Sequence, residues 1–302
     1  MKKFLMKKLI KLYLNKFDKK ILDFFIAEDT KLNLCDIGSM GGIQKKWKFF
    51  EKLINFHGFE PQDISKNGNF VLSNVSDKNV DLKITRKLQC SSVLEPNFKY
   101  LNKFHSSERF EILRKEKFKT ITFDRYYTDK KFDFIKIDCE GYELEILQGA
   151  NKYLENEYVL GLEVECEFFQ LRTNQALFWD IKKYLENKDY IFYDFMKIIR
   201  WEKDQYTESG QPQITDALFL KNPDKIIDDF EKKKINLDVV LKYYLILTVY
   251  NKIDLIRYLN KNLNLNQKNY LEFIKQVTKK MNIINKFRLY NRRFEMLFNR
   301  EI

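Results

Sequence analysis

The chain predicts a doubly wound α/β sheet with helical flanks, and three observations carry that prediction. The stretch LNLCDIGSMGGIQKKWKFFEKLINFHGFE, Leu32 to Glu60, runs from an apolar strand through a glycine-rich turn and a helix-like segment to a second strand closing on an acidic residue. That order is the first half of a βαβ unit. Short apolar runs then alternate with helix-period segments as far as Asn222 and Pro223, the pattern of a largely parallel sheet. Beyond Pro223 helical spacing takes over and glycine disappears. Three regions follow: a basic N-terminal helix (1–30), the α/β domain (31–222) and a C-terminal helical extension (223–302).

In chain order, Leu5, Leu9, Tyr13, Phe17, Ile21 and Phe24 recur at helical spacing and leave a lysine-rich opposite face. Lysines interrupt every apolar stretch here and no small-residue cleavage site follows, so a secretory signal is not expected. We expect this helix to dock on the α/β domain as a structural cap; the alternative is peripheral contact with the anionic inner face of a membrane. Leu32, Leu34 and Ile37 mark the first strand. Phe70 to Val75 is the candidate third strand, Val80 to Thr85 an added edge or hairpin strand, and Thr120 to Phe123 another short one. Phe132 to Ile137 alternates little, as a strand buried on both faces does. A helix is expected from Glu143 to Leu154, a strand from Tyr158 to Glu165, a helix from Gln175 to Leu185, and strands at Tyr190 to Phe195 and Ala217 to Leu220. In the extension, Val239 to Tyr250, Ile253 to Leu259, Tyr270 to Met281 and Phe287 to Phe298 read as amphipathic helices. Their stripes, such as Leu241, Tyr244, Leu245 and Val249, or Phe287, Tyr290, Phe294 and Leu297, read as core.

A chain of 302 residues, 44% hydrophobic and 16% aromatic, buries a substantial core. The formal charge of +12 resembles that of a nucleic-acid binder, but its distribution does not. Residues 1–30 carry 8 lysines against 4 acidic groups and residues 223–302 carry 17 basic against 9 acidic, leaving 30 of each sign between them. The α/β region is neutral and the excess sits in the flanks, so nucleic acid is not the expected partner. Cys35, Cys90, Cys139 and Cys166 form no C-x-x-C pair and no regular spacing; reduced cysteines of a cytoplasmic protein are expected.

The glycine turn, G-S-M-G-G, lacks the second glycine of a dinucleotide fingerprint. Asp36 just before it would repel a diphosphate and favour an ammonium or sulfonium. S-adenosylmethionine (SAM) fits that charge logic better than NAD. Open α/β sheets bind ligands at the carboxyl ends of their strands, and Asp36, Glu60, Asp138 and Glu165 each fall at or near such an end. Unpartnered buried carboxylates are costly, and a ligand bearing a ribose, an ammonium and a sulfonium would supply their donors and positive charge.

The segments DIGSMGG (Asp36 to Gly42), GFEP (Gly58 to Pro61), CSSVLEPN (Cys90 to Asn97), FDFIKIDCEGYELEILQGA (Phe132 to Ala150), GLEVECEF (Gly161 to Phe168), QALFWDI (Gln175 to Ile181) and DALFL (Asp216 to Leu220) resemble the FkbM family of SAM-dependent methyltransferases. The resemblance covers roughly Leu32 to Asn222, and the KIDxEGxExxxLxGA string is its most specific part. It implies a Rossmann-like class I methyltransferase sheet of seven strands, the last antiparallel, and acceptors such as sugars of surface polysaccharide or secondary metabolites. On this reading Gly38 and Gly41 let the backbone approach the cofactor and Asp36 serves its methionine end, directly or through water. Glu60 receives the ribose hydroxyls, and Ser76 and Asp77 are candidates for the adenine. Asp138 faces the transferring methyl, while Glu140 and Glu165 orient or deprotonate an acceptor hydroxyl. His57 reads as packing or capping, and His105 as an alternative base. Asp138, Glu140 and Glu165 are hard oxygen donors of the kind that suit Mg²⁺, but no histidine-containing cluster supports zinc or iron, and no metal is expected. The aromatics Phe168, Phe169, Phe178, Trp179 and Tyr193 are compatible with stacking on a sugar ring, though core is the simpler reading.

The leading expectation is therefore an O-methyltransferase acting on a hydroxyl of a small or glycan acceptor. RNA methylation, drawn from the basic flanks, lacks a recognised RNA module. A catalytically silent SAM-fold binding protein is the rival from another class. The acceptor, the role of the C-terminal helices and the oligomeric state carry no readable code.

Overall fold

The computed structural model describes residues 16–61, 63, 68–204 and 210–298. The chain divides into two compact units. One is α/β and comprises Leu32–Lys48 and Ile54–Ile226; the other is helical and takes the described residues before Leu32, Phe49–Leu53, and the described residues from Ile227 onward. The division falls inside a helix, Pro223–Glu231.

In the α/β unit, strands β1 (Leu32–Ile37), β2 (Ile54–Phe59), β6 (Phe134–Ile137), β7 (Gly161–Glu167), β8 (Tyr190–Trp201) and β9 (Gln211–Lys221) form one sheet in the order β2-β1-β6-β7-β9-β8. The pairs β1–β2, β1–β6 and β6–β7 are parallel, whereas β9 runs antiparallel to both β7 and β8. The central strands are buried almost throughout, as their near-continuous apolar runs require. Phe134, Leu162, Val164 and Leu218 have no exposed surface.

The expected third strand goes elsewhere. β3 (Phe70–Leu72) pairs not with β2 but in parallel with β5 (Ile112–Ile121), which also takes β4 (Asn79–Thr85) antiparallel, giving a separate three-stranded sheet in the order β3-β5-β4. Among the described residues the main sheet thus has six strands rather than seven. β5 explains the split: Lys115, Lys117 and Lys119 are exposed on one face while Phe118 and Thr120 are buried on the other, so it has one face to bury, not two.

Two expected helices also differ. After the glycine turn the described residues hold turns and a single 3₁₀ segment, Lys48–Leu53, not an α-helix. The helix starting at Glu143 ends at Gly149. The amides of Lys152 and Tyr153 instead donate to the Asp124 carboxylate at 3.0 and 2.8 Å, and the Tyr153 hydroxyl donates to the Lys130 carbonyl at 2.9 Å. Side-chain partners there replace the intrahelical bonds.

The helical unit contains the helix over 16–27, Leu237–Val249, Ile253–Asn262 and Lys268–Phe298. The last fuses two expected segments. The N-terminal helix packs on it: Phe24 stacks on Phe273 with ring centroids 4.4 Å apart, Asp18 pairs with Lys280, and Tyr270 donates to Glu28 at 2.9 Å. Ile21 and Phe25 are fully buried. Leu5, Leu9 and Tyr13, and the side chains of Phe287, Tyr290, Phe294 and Leu297, lie outside the described residues. Among the described residues no helix is long and apolar enough to cross a membrane.

Candidate functional site

A cavity of about 260 Å³ opens at the carboxyl ends of β1, β2, β6 and β7. One part of its wall is apolar, built from Phe59, Val71, Leu72, Leu82 and Ile146, and another is acidic, built from Glu60, Asp138, Glu140 and Glu165. The segment from Leu88 to Val93 contributes the remaining side. This is the position at which open α/β sheets take ligands.

The loops that form the mouth touch at the backbone. A Cβ on Gly38 would lie 1.9 Å from the Asp138 carbonyl oxygen, and Gly38 itself has φ +82°. The glycine is needed there by the approach of the loop after β6. Glu140 adopts the left-handed region at φ +56°, uncommon for a residue with a side chain, and Gly141 follows at +97°. A Cβ on Gly141 would meet the Gln175 side-chain amide at 2.8 Å. The D-C-E-G turn is thus shaped by the segment carrying Arg172 and Gln175. Glu143 closes it by accepting from the amides of Cys139 and Gly141 at 2.7 and 3.2 Å.

Of the residues singled out in the sequence, Gly38, Glu60, Asp138, Glu140 and Glu165 come together around the cavity. Asp36 does not. It sits within β1 opposite Lys136 of β6, itself opposite Glu163 of β7, so the three side chains form a cross-strand charged ladder. Lys136 Nζ lies 3.6 Å from Asp36 and donates to Asp138 at 2.8 Å, and Lys46 pairs with Glu163. Gly41 lies outside the lining, with open space where a Cβ would go. Ser76 and Asp77 also lie outside it: Ser76 Oγ accepts from the Thr122 amide at 3.0 Å, and Asp77 pairs with Arg125 at 2.5 Å. His57 packs on Tyr127 and Phe132, and His105 accompanies Ser106 away from the wall. Of the aromatic set, Phe178 belongs to packing, 2% exposed among Phe168, Phe192 and Phe195, while Trp179 faces solvent. The thiols are held protonated, Cys139 well above its ordinary range through burial and Glu143.

Residues that the sequence did not single out organise the site. Arg172 is fully buried and donates to Glu140 Oε2 and, at 3.1 Å, to the Cys90 carbonyl; its other nitrogen lies 3.6 Å from Glu167. Ser92 Oγ donates to the Glu140 carbonyl at 2.9 Å. Lys136 had a signal, since a lysine inside FDFIKID interrupts an otherwise apolar strand. Arg172 had none.

Electrostatically the site is rich in carboxylates. Burial pushes Asp36 up to about 6, against the pull of Lys136. Burial, together with Asp138 and Glu140, holds Glu165 well above the usual carboxylate range. Glu140 is raised by burial and restrained by Arg172, and Glu167 is pushed up to about 7 by burial. Burial works against the Lys136 cation, but Asp138 and Asp36 push its ammonium up. Asp138, Glu140 and Glu165 each present an oxygen within 4.8 Å of the others. Their all-oxygen chemistry complements positive charge, whether a sulfonium or a hard cation.

The fold and site define a Rossmann-like α/β protein with an acid-lined ligand cavity at its strand ends. A model of the methyltransferase FkbM domain matches residues 40–192, and the chain belongs to that family. No curated protein and no solved structure gives a match.

Proposed function

We propose that this methyltransferase moves a methyl group from SAM to a hydroxyl of a small acceptor, such as a sugar of a surface polysaccharide or glycolipid. The reading is carried by one observation: Glu60, at the end of β2, lines the same cavity as an apolar wall and three further carboxylates. Glu60 suits ribose hydroxyls, Val71, Leu72, Leu82 and Ile146 suit a flat heteroaromatic ring, and Asp138, Glu140 and Glu165 favour positive charge and accept from acceptor hydroxyls.

When bound, SAM supplies a methyl carbon already activated for in-line displacement by its sulfonium. The chain's part is mainly orientation, the larger share of catalysis for so reactive a donor. Asp138, held by Lys136, and Glu140, held by Arg172, are fixed acceptors around the position of the incoming hydroxyl. Glu140 and Glu165 line the cavity beside Asp138 and suit the general-base role, which either would fill in its carboxylate form. Calorimetric titration of the full chain with SAM and, separately, with NAD tests the reading. Micromolar SAM binding without an NAD response is expected; absence of SAM binding would overturn it in favour of a catalytically silent binding protein.

A further inference from the structure

The helical unit contains a second concavity, unrelated to the strand-end cavity. It has a volume of about 490 Å³ and is lined by Lys16, Phe17 and Lys20 of the N-terminal helix and by Gln276, Lys279, Asn282 and Ile283 of the long C-terminal helix. Three of these seven residues are lysines and none is acidic. Lys16, Lys20 and Lys279 are exposed, whereas Phe17 is 9% exposed and Ile283 half-buried, so cationic rims stand over an apolar floor.

The two helices are held in this arrangement by contacts beside the groove. Asp18 pairs with Lys280, and Phe24 stacks on Phe273. Glu272, which lies outside the lining, feels Lys20 and Lys279 but is one carboxylate against three cations. Lysine heads above apolar side chains make the chemistry of an interfacial surface, where the cations meet phosphates and the floor meets acyl chains. An oligonucleotide would instead favour stacking platforms along an extended track.

We propose that this groove is a docking surface for an anionic phospholipid bilayer. The test is co-sedimentation of the full chain with vesicles of phosphatidylcholine alone or with about one third phosphatidylglycerol, an anionic fraction chosen for strong surface attraction. Binding to the anionic vesicles is expected, falling steeply with salt as screening shortens the reach of the lysines. The triple change Lys16→Glu, Lys20→Glu, Lys279→Glu should weaken it by about 10-fold or more, since lysines at the surface act roughly additively. A control with the same change in net charge, Lys99→Glu, Lys117→Glu, Lys119→Glu on exposed positions of the α/β unit, should stay within about twofold. Equal binding to neutral vesicles, equal loss in the control, or displacement by millimolar inorganic phosphate would overturn the proposal, as would tighter binding to an oligonucleotide. The milder set Lys16→Gln, Lys20→Gln, Lys279→Gln repeats the test should charge reversal disturb the Asp18–Lys280 pairing; retention of full vesicle binding by that set would overturn it as well.

Discussion

The strand-end cavity and the groove of the helical unit place opposite charge in opposite surroundings. In the cavity, carboxylates are sunk into the protein and answered by cations that are themselves buried: Arg172 is 0% exposed and Lys136 7%. In the groove, lysines stand in solvent over a shallow apolar floor. The same Coulomb law therefore has different weight in the two places, because low local dielectric strengthens interactions that water and salt weaken elsewhere. Charges of the first kind decide stability, protonation and ligand choice; charges of the second kind act collectively and are tuned by ionic strength.

The largest expected effect breaks the buried side of that contrast. Arg172→Gln leaves Glu140 and Glu167 without their buried cation, and removing one member of a buried pair typically costs about 3–5 kcal/mol. Denaturant unfolding should show a loss of that order, and a change below about 1 kcal/mol would mean that these carboxylates do not depend on Arg172.

An intermediate effect concerns pH. Asp36 and Asp216 are both raised to about 6 and Glu167 to about 7, chiefly by burial. A carboxyl whose folded pKa exceeds its unfolded one contributes stability that is fully present below the unfolded pKa and lost as pH rises through the folded pKa. Thermal unfolding of the ligand-free protein should therefore show the contribution of these groups declining between about pH 4 and pH 7, by on the order of 1 kcal/mol or more per group. Opposite behaviour across that window would show that their cationic partners outweigh burial.

The smallest of these effects sharpens the cofactor side of the cavity. Glu60→Ala should lower SAM affinity about 10-fold through loss of charge-assisted hydrogen bonds, with little effect on the fold, because Glu60 is only partly buried. Unchanged affinity by calorimetry would remove the ribose role.

Much of the α/β unit was legible because apolar runs report burial directly. β1, β6 and β7 lie where continuous hydrophobic stretches placed them, and the antiparallel β9 lies where the family resemblance placed it. The expected third strand was misplaced because three residues, Phe70–Leu72, state that they are extended without stating which edge they pair with. The helix from Glu143 was overextended because Asp124, some thirty positions earlier, takes the amides of Lys152 and Tyr153.

By itself the sequence determined the α/β class, the family, the neutral centre with basic flanks, and the gathering of Glu60, Asp138 and Glu165, though not of Asp36, at strand ends. The class and the gathering follow from local periodicity and the rule that strand ends converge, the family from the motif resemblance, and the charge pattern from the residue counts. Only the tertiary structure decided that Asp36 belongs to a charged ladder rather than the cavity wall, that Gly38 answers the Asp138 backbone, and that Arg172 holds Glu140. Each of those depends on which atoms meet across segments distant in sequence, and no single segment carries its partner's position.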